Sequence, residues 1–132
     1  MAWRLLSTVG EWPRWLPTVQ SVEALDGEAL RVGARFHIQQ PSLRPATWSV
    51  TSLDPGASFT WEARAPGLLM RAEHFVSARG AAACNVTLRF GFGGMLGRLV
   101  AARYGATAQR YLGIEAQALR AEATGGPRPA LT

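Results

Sequence analysis

The stretch AACNVTLRFGFGGMLGRLVAARYGATAQRYLG, residues 82–113, changes its hydrophobic period part-way along. Up to Phe92 the apolar side chains alternate. Ala82, Cys84, Val86, Leu88, Phe90 and Phe92 point one way, opposed by Asn85, Thr87 and Arg89. That period of two marks a strand with one buried face. Gly93-Gly94 ends it, and the period becomes 3.6 with no proline from Met95 to about Ala123. Leu96, Val100, Tyr104, Thr107, Tyr111, Ile114 and Ala118 then share one stripe of a helix, with Arg98, Arg110 and Arg120 off it. Such a helix is about 40 Å long at 1.5 Å per residue, enough to cross a whole sheet.

Upstream, the same alternation recurs. Leu30, Val32, Ala34, Phe36 and Ile38 alternate with polar partners. Trp48 and Val50 follow, then Phe59, Trp61 and Ala63, then Met70, Ala72, His74 and Val76 in a strand over residues 68–78. Proline and glycine turns separate these runs, so five consecutive strands in an antiparallel meander are expected. Residues 2–9 carry apolar side chains at helical spacing. Pro13 suits the first turn of a second short helix that Pro17 stops. Val19 to Leu25 is apolar at every third position and fits neither period, and Asp26-Gly27 is a turn signal. The fold class is therefore α+β, a curved antiparallel sheet packed on a long C-terminal helix. Residues 1–124 form one domain and 125–132 a disordered tail.

Composition narrows the function. With 48% hydrophobic and 17% charged residues in 132, the chain is a globular one with a single core. No stretch approaches the roughly 18 apolar residues that span a bilayer, and no secretory signal opens the chain, so a cytoplasmic protein is expected. The net charge is +5 and all fourteen cations are arginine. They run from Arg4 to Arg128 without an aromatic RNA-binding motif, which argues against nucleic acid. The lone Cys84 excludes an intrachain disulfide and a cysteine zinc site, and its phase suggests a small buried hydrophobe.

A curved sheet gripping one helix encloses more space than the helix fills. Phe36, Trp48, Trp61, Met70 and His74 of the inner face, with Tyr104 and Tyr111 of the helix, would wall an apolar pocket with a few polar tips. The competing reading of any one of these residues is plain core.

The order of short motifs carries a resemblance. Trp12-Pro13-Arg14-Trp15 comes first, then Val32-Gly33-Ala34-Arg35-Phe36, Trp48-x-Val50 and Phe59-x-Trp61. Pro66-Gly67, Glu73-His74-x-Val76 and Arg110-Tyr111-Leu112-x-x-Glu115-Ala116 complete the series. From Trp3 to Glu122 the chain resembles the SRPBCC superfamily (START and Bet v 1-like, helix-grip fold), in its polyketide cyclase/dehydrase-like branch. The resemblance implies a cavity for lipids, polyketides or other hydrophobic molecules, held by carriers, cyclases or aromatases. It also implies a strand ahead of the first helix, beside the last strand of the sheet, for which Met1 leaves no room. Either the natural chain begins upstream of Met1, or the open apolar edge at Leu88 to Phe92 pairs with a second copy as a homodimer.

Chemistry in such a cavity needs an acid or base, and His74 is the inner-face candidate. Tyr104, Tyr111, Arg103 or Glu115 could polarise a carbonyl or fix a substrate. The plainer reading of His74 is a hydrogen-bonded inner histidine. Glu115 and Glu122 make a poor carboxylate pair, seven residues apart on a helix. No nucleophile elbow, phosphate loop or metal cluster is present, and no cofactor is expected. Three readings follow. The chain binds a hydrophobic small molecule, acts as a cyclase or dehydratase through His74, or serves as a protein–protein module through its open edge.

Overall fold

The computed structural model describes residues 2–41, 43–78 and 84–125. Helix α1 (Ala2–Ser7), a 3-10 turn (Val9–Glu11) and α2 (Trp12–Trp15) lead into β1 (Ser21–Ala24) and β2 (Arg35–Gln39). β3 (Ala46–Asp54), β4 (Ser58–Ala65), β5 (Leu68–Ala78) and β6 (Cys84–Gly93) follow, and α3 (Gly97–Thr124) closes the chain. The sheet is a six-stranded antiparallel meander in the order β1 to β6. The α+β helix-grip arrangement expected from the change of period is the one observed.

Several local expectations need correction. The sheet has a sixth strand, because the ambiguous segment after Val19 pairs with β2, Val22 opposite Ile38 and Ala24 opposite Phe36. β2 begins at Arg35, not at Leu30. Val32 and Gly33 form a turn, and Gly33 adopts φ +89°, which ends an extended run. Arg35 is held there by Asp26, whose carboxylate accepts from the Arg35 backbone N–H at 2.9 Å and from its guanidinium at 3.0 and 3.1 Å. Cys84 is exposed, because it lies at the outer end of an edge strand. Leu96 caps α3 and is itself 44% exposed. The turn around Gly80, Ala82 of the fifth expected strand, and the tail after Gly125 lie outside the described residues.

Two features bend the sheet around its contents. A register shift between Val50 and Ser52 bulges β3 against β4. At one end, the β4–β5 turn clasps the β6–α3 junction, with Leu96 N–H donating to the Gly67 carbonyl at 2.7 Å. Gly94 makes the clasp geometrically available. Its φ is +84°, and a Cβ there would lie 2.7 Å from the Gly67 oxygen.

The core sits where the short helices meet β2–β4. Leu6, Trp15, Phe36 and Phe59 have essentially no exposure. Trp12 joins helix to sheet. Its indole N–H is shared by the Leu5 and Leu6 carbonyls at 3.2 Å each, and its ring meets Trp61 edge-on at 5.2 Å.

Candidate functional site

Away from that core, sheet and α3 separate around a cavity of about 440 Å³ that is partly open to solvent. Its wall follows from strand phase. Trp48, Trp61, Met70, Ala72, His74, Leu88, Phe90 and Phe92 are inner-face residues of β3–β6. Across from them α3 presents Val100, Tyr104, Ala108, Tyr111, Leu112 and Glu115, spaced to keep one helical face inward. Six of the seven residues expected to wall a pocket therefore border this space: Trp48, Trp61, Met70, His74, Tyr104 and Tyr111. Phe36 does not. It is fully buried in the packed part of the core, 6.0 Å from the Trp61 ring.

His74 is the most constrained polar group in the wall. Its ring stacks on Phe59 at 4.1 Å and 9°, and meets Trp61 edge-on at 5.7 Å. Nδ1 lies 3.2 Å from the Phe59 carbonyl oxygen. A carbonyl only accepts, so Nδ1 carries the proton and the neutral ring turns the lone pair of Nε2 toward α3. There Nε2 stands 3.8 Å from Glu115 Oε1. Burial lowers the His74 pKa to about 4, against the opposing effect of the Phe59 carbonyl. Burial likewise raises Glu115 to about 7. Both groups are driven toward their neutral forms, so between about pH 4 and 7 the pair is a neutral imidazole facing a largely protonated carboxyl rather than an ion pair. Arg103 is exposed, with its guanidinium 4.8 Å from the centre of the Tyr104 ring. The Tyr111 hydroxyl donates to the Pro41 carbonyl, so it tethers α3 to the β2–β3 loop and is not free to polarise a guest.

A family model described as polyketide cyclase / dehydrase and lipid transport matches residues 1–124. The chain belongs to that family. As a polyketide cyclase/dehydrase-type protein of the SRPBCC superfamily, it shares its fold with a solved structure, the di-domain ARO/CYC BexL from the BE-7585A biosynthetic pathway. The two superpose with a TM-score of 0.66 at 20% identity, over 89% of this chain and 40% of that one. This polyketide cyclase/dehydrase-type chain thus spans well under half the length of its di-domain neighbour. No curated protein matches it.

One contributor to this family member's wall, and one pairing within it, are not legible in the sequence. The sequence places Trp12 on a short helix, and the structure brings it to the border of the cavity. Its signal was the Trp-Pro-x-Trp run, in which an aromatic brackets a helix-starting proline. Glu115 is expected from the sequence to polarise a carbonyl or fix a substrate, and its spacing offers only Glu122, seven residues along α3, as a paired group. The partner that matters is His74, 41 residues away on another element. Among the described residues no cluster of three or more His, Cys, Asp or Glu could hold a metal. Among the described residues no helix is long and apolar enough to cross a membrane.

Proposed function

We propose that the chain binds a small hydrophobic molecule, lipid- or polyketide-like, in the cavity between sheet and α3. The observation that carries this reading is the cavity itself. About 440 Å³ is lined mainly by aromatic and aliphatic side chains, with one neutral polar pair in the wall. Such a wall suits a flat or acyl body with one oxygen near Glu115. Trp12, Trp48 and Trp61 border the space and act as built-in reporters. Titration with N-phenyl-1-naphthylamine is expected to quench tryptophan emission saturably, with release by an added fatty acid or polyphenol. Linear, unsaturable quenching would remove this reading.

The buried pair supports a second reading, a cyclase- or dehydratase-like enzyme. In a dehydration of a β-hydroxy carbonyl compound, His74 Nε2 takes the proton from the carbon next to the carbonyl. Glu115 gives its proton to the departing hydroxyl. A C=C bond forms, the C–O bond breaks and water leaves, and the proton on His74 passes to Glu115 to restore both groups. A β-hydroxyacyl thioester consumed by the native chain but not by His74→Ala, with N-phenyl-1-naphthylamine binding retained, selects this reading. Binding without turnover in both selects the carrier.

Among the described strands β6 has a neighbour on one side only. Pairing of two β6 edges in a homodimer, or with another protein's strand, would satisfy its free backbone groups. A monomeric mass in light scattering at all concentrations counts against the dimer.

A further inference from the structure

The net charge is not spread evenly. Through Glu73 the sequence holds seven arginines and seven carboxylates, and from Glu115 onward two of each. The whole formal charge of +5 therefore falls within residues 74–114, which carry five arginines and no Asp or Glu. Structurally that segment includes β6 and the first half of α3.

The same segment holds the most exposed apolar side chains. Met95 is 94% exposed and Leu99 69%, with Leu96 beside them at 44%. Elsewhere only Leu25 and Val32 are comparable among the described residues, and both are in the β1–β2 region. Met95 stands in the turn just before α3 and Leu99 in its first turn, so both exposed side chains belong to the same β6–α3 junction. Arg98 lies next to Leu99, and Arg103 follows one turn later. The Gly67–Leu96 clasp fixes this tip to the sheet, so it is a shaped surface and not a fraying end. Val100, the next residue after Leu99, and Tyr104, one turn further in, line the cavity, and Arg103 lies against Tyr104. Large apolar groups standing in water beside uncompensated guanidinium groups match the boundary of a lipid leaflet. There the apolar side chains enter the acyl edge and cations meet phosphates.

We propose that the β6–α3 tip docks on an anionic lipid surface, with Met95 and Leu99 inserted and Arg98 and Arg103 on the headgroups. The chain lies on the leaflet and does not cross it. The cavity wall begins at Val100, the residue after the inserted Leu99, which places a hydrophobic guest next to its lipid source. Only that last consequence rests on the binding reading. Vesicle docking is measured with no guest present, so the two can fail separately.

The test is co-sedimentation of the full chain with phosphatidylcholine vesicles, with and without phosphatidylglycerol, at low and high salt. Binding is expected to the phosphatidylglycerol vesicles and to weaken with salt. Arg98→Ala and Arg103→Ala should each weaken it roughly fivefold. Met95→Ser and Leu99→Ser should each weaken it roughly tenfold. Arg120→Ala, an exposed change in the charge-balanced part of α3, should leave binding unchanged. The substituted tip side chains are largely in water, so each variant should keep the native melting temperature. Equal binding to both kinds of vesicle, no binding to either, or tip variants that bind like the native chain would overturn the proposal. So would retention by an acidic protein surface in place of lipid.

Discussion

One inner face of one sheet is treated in two ways. Over β2–β4, α1 and α2 press Leu6, Trp15, Phe36 and Phe59 into full burial. Over β5–β6, where α1 and Trp12 of α2 reach β5, the main cover is α3. Its first half offers small or half-exposed residues there, Val100, Ala101, Tyr104, Gly105 and Ala108, and a cavity remains. Apart from Gly97 at its start, the helix has buried residues only from Tyr111 on, at Tyr111, Ile114, Ala118, Leu119 and Ala121. Emptiness thus follows from side-chain volume on the cover, not from any shortage of apolar residues on the sheet. One half is built for stability and the other tolerates volume change.

Substitutions in the two halves should separate accordingly. The largest effect is expected from Phe36→Ala in the packed half, a loss of about 3–5 kcal/mol in urea unfolding. Tyr104→Ala, facing the cavity, should cost about 1 kcal/mol or less, since its neighbours are not close-packed. Equal losses at both positions would erase the distinction between the halves. Next is Gly94→Ala, which pushes a Cβ to 2.7 Å from the Gly67 oxygen at φ +84°. It should cost about 1–3 kcal/mol and lower the melting temperature. Tyr111→Phe removes the donor to the Pro41 carbonyl at the border between the halves. It should cost about 0.5–1.5 kcal/mol without abolishing folding.

The smallest net effect is in the native pH profile, where two slopes oppose each other. Glu115 is raised from 4.5 to about 7, so the folded chain holds the extra proton between those values. Its contribution to stability falls as pH rises through that window. His74 is lowered from 6.5 to about 4, so the unfolded chain holds the extra proton there. Its contribution rises with pH through that window. Relative to the native chain, Glu115→Gln should therefore gain stability from pH 4 to 6.5, leaving the His74 slope alone. His74→Gln should lose stability from pH 4.5 to 7. Parallel profiles for all three proteins, followed by denaturant midpoint, would show that the two groups are not buried as neutral partners.

Most of the fold was legible because its periods are clean. The strand expected over residues 68–78 has the bounds of β5, and the change of period after Phe92 falls within a few residues of the sheet-to-helix junction. The misreadings have local causes. Gly33 at positive φ breaks a run whose alternation continues through it, and β1 is only four residues long. Cys84 keeps the inner phase but runs out beyond its cover. Six of the wall residues were legible from strand and helix phase. Phe36 shares that phase, yet it faces the short helices, and phase alone does not say which cover a residue meets. The His74–Glu115 approach joins two elements whose relative setting depends on every intervening turn, so no spacing in the chain encodes it.

The central claim is that the volume beneath the first half of α3 is unfilled and available. Ala108→Phe would fill it from the helix side, at a residue that borders the cavity. Titrating N-phenyl-1-naphthylamine into the native chain and this variant is the most direct measurement. Saturable binding by the native chain should weaken at least roughly tenfold in the variant, with thermal stability held or improved. Unchanged affinity in Ala108→Phe, or a variant destabilised as an overpacked core would be, contradicts the account.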